Sequence, residues 1–198
     1  MRDSIFKKNF YAYMLEIGLT LLFKARYRFV VKNKPARELR SIVLIGNHTS
    51  FIDWAFLQMG TTQKIHFFIE KEIYDKPILK PFLSFFGALP VDSKNAKESF
   101  KKGIELLKAG GIVAIFPEGE LTKTGEISEF KRGFEFLAQK SGAEIIPFYL
   151  EGLFGSRFSK SPSKKYTIRE VNLIFGDPLN DTDTKTAQKA VLALRSKI

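Results

Sequence analysis

"SIVLIGNHTSFIDWAF", residues 41–56, carries a strand signal, a turn and a helix start in one short stretch. Its first part, "SIVLIG" (41–46), is a continuous apolar run rich in β-branched side chains, as a strand buried on both faces requires. Ser50 is placed to cap a helix running from about Phe51 to Met59. A buried strand passing directly into a helix is the unit of a parallel α/β sheet. Such sheets form their sites outside the carboxyl ends of the strands, and His48 falls at that point.

The same pattern recurs on either side. "YRFVV" (27–31), "IHFFIE" (65–70), "ALPV" (88–91), "IVAIF" (112–116), "EIIPFYL" (144–150) and "REVNLIFG" (169–176) read as further strands. A helix capped by Asp92 or Ser93 runs to Lys108, where Gly110 and Gly111 stop it. Residues 129–142 form another helix, and Asp181 or Asp183 opens a last one to Ile198. Pro77 and Pro81 interrupt the segment between the third and fourth strands. The Ser/Lys-rich residues 156–165 read as a mobile loop. The expectation is a single α/β domain over 26–198, a mainly parallel mixed sheet flanked by helices.

Residues 1–25 stand apart. "FYAYMLEIGLTLLF" (10–23) is the longest apolar stretch, yet it contains Glu16 and is shorter than the ~20 residues of a spanning helix. Glu16, Thr20 and Lys24 give a helix here a narrow polar stripe, and Lys7, Lys8, Arg26 and Arg28 flank it. Two readings fit: an amphipathic helix lying in a membrane interface, or a helix capping the core.

The chain of 198 residues has 32 Lys+Arg against 21 Asp+Glu, a net charge of +11, with ten basic and three acidic residues in positions 1–40. A second basic stretch, "RFSKSPSKKYTIR" (157–169), has no acid. Basic surface suits nucleic acid, anionic membrane or phosphorylated partners alike. The 20 phenylalanines lie in apolar strand and helix patterns rather than among the basic runs, which argues against nucleic acid. Having no cysteine excludes a disulfide scaffold, thiol catalysis and thiolate zinc. Two histidines without a carboxylate–histidine cluster leave little basis for a transition-metal site. There is no Gly-x-Ser-x-Gly elbow and no nucleotide-binding glycine loop.

His48 and Asp53 suggest chemistry. A carboxylate on one imidazole nitrogen fixes the tautomer and leaves the other as a general base. The nucleophile missing from this half-triad is then the substrate's own hydroxyl. Downstream, "FPEGELTKTGEISEFKRG" (116–133) follows a strand without a break, and Pro117 and Gly119 turn the chain sharply, projecting Glu118 at a strand end. His66 reads as an ordinary strand residue, and Trp54 as a packing residue.

Asn47-His48-x4-Asp53 followed about seventy residues later by Phe116-Pro117-Glu118-Gly119 resembles the glycerolipid acyltransferase superfamily, which includes the lysophosphatidic acid acyltransferases. Pro147 in "IIPFYLEG" (145–152) matches the fourth motif, residues 70–92 resemble the approach to the second, and the likeness covers about residues 25–180. The resemblance implies acyl transfer from a thioester, acyl-coenzyme A or acyl carrier protein, to a lysophospholipid hydroxyl. His48 would be the base, Asp53 its orienter, and Glu118 and Gly119 the shapers of the acceptor site. No metal or organic cofactor is implied. The expected partners are a phospholipid membrane, met peripherally on its cytoplasmic face, the lysophospholipid and the acyl carrier, with no nucleic acid.

Two positions depart from the family pattern. Ser93 stands where the second motif usually ends in arginine, and Glu120-Leu121-Thr122-Lys123 follows the Gly where Thr-Arg is common. Lys94 and Lys123, or Lys131 and Arg132, then supply the acceptor's counter-charge, as point charges where lysine replaces arginine's fork. The form "FPEG-x-x-T-x-T-G" is similar to domains that reacylate lysophosphatidylethanolamine. The donor's acyl chain is expected along "KPFLSFFG" (80–87). The rival reading is an inactive membrane-binding scaffold of the same fold.

Overall fold

The computed structural model describes residues 18–19, 26–35, 39–92, 96–165 and 169–197. In chain order the elements are β1 (Tyr27–Lys32), β2 (Ile42–Gly46), α1 (Asp53–Met59), β3 (Ile65–Glu70), α2 (Lys71–Tyr74), α3 (Lys80–Phe85), β4 (Leu89–Val91), α4 (Lys97–Lys108), β5 (Ile112–Ile115), α5 (Gly133–Ser141), β6 (Glu144–Glu151), β7 (Arg169–Phe175) and α6 (Thr184–Arg195). The strands form one sheet ordered β1-β7-β6-β2-β5-β3-β4. Every pairing is parallel except β6 with β7, so the expected mixed, mainly parallel α/β sheet is what the chain forms.

β2 lies in the middle, between β5 and β6, and all five of its residues are buried. Its side chains alternate between two cores, as the pleat dictates. Ile42 and Leu44 join Phe56 and Leu57 of α1 on one face, and Val43 and Ile45 join Leu107, Phe134, Leu137, Val191 and Leu194 of α4, α5 and α6 on the other. The apolar run is continuous because neither face of this strand meets water. Leu19 is buried in the first of these cores. The remainder of the expected amino-terminal helix over 1–25 lies outside the described residues, apart from residues 18 and 19, which are helical, and Arg26. Among the described residues no helix is long and apolar enough to cross a membrane.

Element boundaries shift where side chains bond across the chain. α1 begins at Asp53 rather than near Phe51, because the Asp53 carboxylate turns back onto the preceding loop. α4 begins at Lys97, with Ala96 and not Asp92 at its cap, and Ser93 lies outside the described residues. α5 begins at Gly133 rather than 129. The amides of Ser128 and Lys131 are drawn to Glu118 and to the Pro117 carbonyl, which holds this stretch against the Phe-Pro-Glu-Gly turn. Within residues 156–165, expected as a mobile loop, three serines turn inward while Arg157, Phe158 and Lys160 stay exposed. Ser156, Ser159 and Ser161 are buried, Ser159 bridges to Ser50, and the Phe51 amide donates to the Phe158 carbonyl at 2.9 Å. At the carboxyl terminus the expected Asp183 caps α6, accepting from the Lys185 and Thr186 amides.

Candidate active site

The site grows from the carboxyl ends of β2 and β5, neighbouring parallel strands. Gly46 ends β2 opposite Phe148 of β6, and a Cβ at Gly46 would overlap the Phe148 ring. The missing side chain admits that ring, the ring meets Phe116 edge-on at 6.0 Å, and Phe116 stacks on the His48 imidazole at 4.1 Å with 12° between planes. Asn47 continues the sheet by its side chain. Its amide donates to the Leu150 carbonyl and accepts the Leu150 amide, both at 2.8 Å. The backbone is thereby freed to turn, and His48 leaves the sheet plane at a fixed point.

Asp53 is fully buried. Its Oδ2 accepts from His48 Nδ1 at 2.9 Å, the Thr49 amide at 2.6 Å and the Ser50 amide at 2.9 Å, and Oδ1 accepts from Thr49 Oγ1 at 3.3 Å. Two backbone amides already donate to Oδ2, so that oxygen carries no proton and can only accept from Nδ1, which leaves Nε2 as the ring nitrogen turned away from the carboxylate. The His48 side chain is 23% exposed, and Nε2 has no hydrogen-bond partner among the described residues. An oriented imidazole with one nitrogen left open is the arrangement of a general base.

The Phe-Pro-Glu-Gly turn clasps the histidine's backbone at both ends. The His48 amide donates to Glu118 Oε1 at 2.7 Å, and the His48 carbonyl accepts the Thr122 amide at 3.0 Å. Glu118 Oε2 accepts the Ser128 amide at 2.9 Å and hydroxyl at 3.1 Å. Glu118 is 3% exposed, and its carboxyl is raised above the ordinary range by burial, against the opposing pull of these donors and of His48. Both oxygens of the residue expected at the acceptor are therefore taken up inside the protein. Thr122 Oγ1 organises the following turn, donating to the Glu126 carbonyl at 2.8 Å and accepting the Gly125 amide at 3.0 Å.

Gly119 adopts φ +74°, a left-handed conformation that glycine takes without strain. The Lys131 ammonium lies over it, 2.6 Å from where a Cβ would stand, and has no ion-pair partner among the described residues. Lys123 is exposed in the turn after Thr122. Arg132, by contrast, is held by Glu135 at 2.8 Å. Lys94 lies outside the described residues. The structure thus brings His48, Asp53, Glu118, Gly119 and Lys131 together. Sequence reading assigned no role to the Phe116 stack or to Ser128 and Thr122, whose only signals were their places in the Phe-Pro-Glu-Gly segment. His66 lies in β3 and donates from Nδ1 to the Gly87 carbonyl at 2.8 Å. Among the described residues no group of three or more His, Asp or Glu is placed to hold a metal ion.

Known proteins resemble the chain in sequence and in fold. The chain is 32% identical to the 1-acyl-sn-glycerol-3-phosphate acyltransferase of Bacillus subtilis (strain 168), over 77% of this chain and 72% of the relative. It is 29% identical to a chloroplastic 1-acyl-sn-glycerol-3-phosphate acyltransferase of Arabidopsis thaliana, over 74% of this chain and 42% of that longer protein. The crystal structure of the 1-acyl-sn-glycerophosphate (LPA) acyltransferase PlsC from Thermotoga maritima shares its fold, with TM-score 0.76 at 19% identity, covering 100% of this chain and 82% of that one. The Acyltransferase family model matches residues 28–151, from β1 through the His48 and Glu118 turns to the end of β6, and the chain belongs to that family.

Proposed function

We propose that this acyltransferase moves a fatty acyl chain from a thioester, on coenzyme A or acyl carrier protein, to a hydroxyl of a lysophospholipid. The observation that carries the reading is the buried Asp53 holding Nδ1 of a half-open His48 whose Nε2 is unpartnered among the described residues. His48 Nε2 takes the acceptor's hydroxyl proton as its oxygen attacks the thioester carbonyl. The C–O bond forms, the C–S bond breaks, and the proton passes to the departing thiolate. No acyl-enzyme and no cofactor enter this scheme. Asp53 keeps the tautomer and balances the transient imidazolium.

The relatives' shared name favours 1-acylglycerol 3-phosphate as the first acceptor to try, ahead of lysophosphatidylethanolamine. Lys131 over Gly119, with Lys123 and Lys94, supplies charge for such a phosphate. The enzyme works at the membrane that holds this acceptor, from the cytoplasmic face where its thioester donors are made.

The test is thiol release from acyl-coenzyme A and from acylated carrier protein, with a panel of lysophospholipids. His48→Ala, folded by melting temperature, should lose about 10²–10⁴-fold of the acceptor-dependent rate. No release by the wild type with any pairing would sink the enzyme reading in favour of a lipid-binding scaffold. Equal release by both proteins would leave the activity and remove His48 as its base.

A further inference from the structure

The chain leaving β3 carries an exposed apolar surface, which overlaps at Phe82 and Phe85 the stretch where the donor's acyl chain is expected. Residues 75–82, "DKPILKPF", are exposed without interruption. Ile78 is 89% exposed, Leu79 36%, Phe82 43% and Phe85 60%, four of the eight large exposed apolar side chains among the described residues. Nothing about packing room forces this. Leu83 of the same helix is buried, and Phe82 and Phe86 seat against Trp54 at 5.8 and 5.3 Å. The inner face of α3 is anchored beside the helix that begins with Asp53, and the outer face is left bare.

Charge frames this bare face. Lys76-Pro77 and Lys80-Pro81 bracket Ile78 and Leu79, and the prolines restrict the backbone that presents them. Asp75 is balanced by Lys71 at 2.7 Å and Lys80 at 3.0 Å, while Lys76 has no ion-pair partner among the described residues. An apolar tip ringed by lysines matches one solvent boundary. The side chains enter the acyl region, and the lysine stems reach back to lipid phosphates. A second copy of this chain, itself at +11, would bring like charge to the same face.

We propose that residues 76–85 are a membrane-docking wedge, with Ile78, Leu79, Phe82 and Phe85 entering the interface of a bilayer that bears anionic headgroups. This is a contact distinct from residues 1–25. It extends the lipid-acceptor reading above, since the wedge leaves the same sheet edge as His48, but it is measured without turnover.

The chain has no cysteine, so Ile78→Cys in the full chain takes a single environment-sensitive fluorophore, and Lys108→Cys, at the far end of α4, serves as control. On phosphatidylcholine vesicles containing phosphatidylglycerol the Ile78 label should brighten and be quenched by lipid-borne spin labels, while the Lys108 label stays aqueous. An Ile78 label that stays aqueous while the protein sediments with vesicles overturns the proposal. So does a label already shielded before vesicles are added, which would show the face covered by the chain's own amino-terminal segment or a second copy. Ile78→Asp combined with Leu79→Asp, unlabelled, should weaken vesicle partitioning about tenfold or more, and unchanged partitioning would equally overturn it. Loss of vesicle docking with thiol release from soluble substrates intact separates this proposal from the acyltransferase reading.

Discussion

Three connections leave the same edge of the sheet, and they are built in opposite ways. Those after β2 and β5 are saturated, with Asp53 and Glu118 buried and each oxygen of Glu118 and Oδ2 of Asp53 within 3.0 Å of a backbone amide. The connection after β3 is long and bare, with Ile78 almost wholly exposed. The first two hold one histidine by its ring and by both ends of its backbone. The third fixes no reacting group and offers area. A chemical step needs position, because a small displacement of the reacting atoms is costly. A boundary between water and lipid needs only apolar surface and charge.

The comparison breaks first at Asp53. Asp53→Asn keeps the shape: its carbonyl oxygen can take the His48, Thr49 and Ser50 donors that now meet Oδ2, its NH₂ faces the Thr49 hydroxyl, and only the negative charge is removed. Turnover should fall about 10²–10⁴-fold, because the imidazolium formed in the reaction loses its counter-charge, while unfolding in urea should change far less than turnover. Wild-type turnover in a stably folded Asp53→Asn would show that the reaction does not depend on the charge of this carboxylate.

Glu118 gives the next largest effect and sharpens the contrast. Glu118→Gln accepts at one end only, so either the His48 amide or the Ser128 pair loses its partner. If Glu118 positions His48, kcat falls about 10–100-fold with little change in acceptor KM. A rise in KM at constant kcat would instead return Glu118 to the acceptor. Its titration gives a second reading. Burial raises its carboxyl in the folded chain, so the folded state binds that proton more tightly than the unfolded state. This contribution to stability is fullest below the ordinary carboxyl range and is lost as pH rises to the raised value. Glu118→Gln should flatten that part of the stability profile.

Asp183, far from this edge in sequence, should show the smallest effect. It is exposed and its carboxyl is lowered by the Thr186 and Lys185 donors. Its contribution is present above the ordinary carboxyl range and lost as pH falls through the lowered value. Asp183→Ala should lower the melting midpoint slightly and leave thiol release untouched. An effect on turnover would mean that α6 is coupled to the site.

The strands were legible because β-branched apolar runs such as residues 42–45 are buried on both faces, and burial on that scale has few alternatives in sequence. His48 and Asp53 were legible because one turn of chain joins them. The starts of α1 and α5 were not, unlike that of α6 at Asp183, since Asp53, Ser128 and Lys131 spend their bonds on loops rather than on caps. Glu118's engagement with the His48 amide was also hidden, because a bond across 70 residues leaves no local pattern. Ser156, Ser159 and Ser161 read as loop because serine and lysine are polar, whereas Ser159 pairs with Ser50 across the fold.

Asn47 bonds to Leu150 across 103 residues, and His48 to Glu118 across 70. No fragment ending before Leu150 holds the histidine in its working position. During synthesis, the imidazole emerges long before its supports, and contacts of such separation form late and slowly. The growing chain is therefore without its general base in place until most of it has left the ribosome.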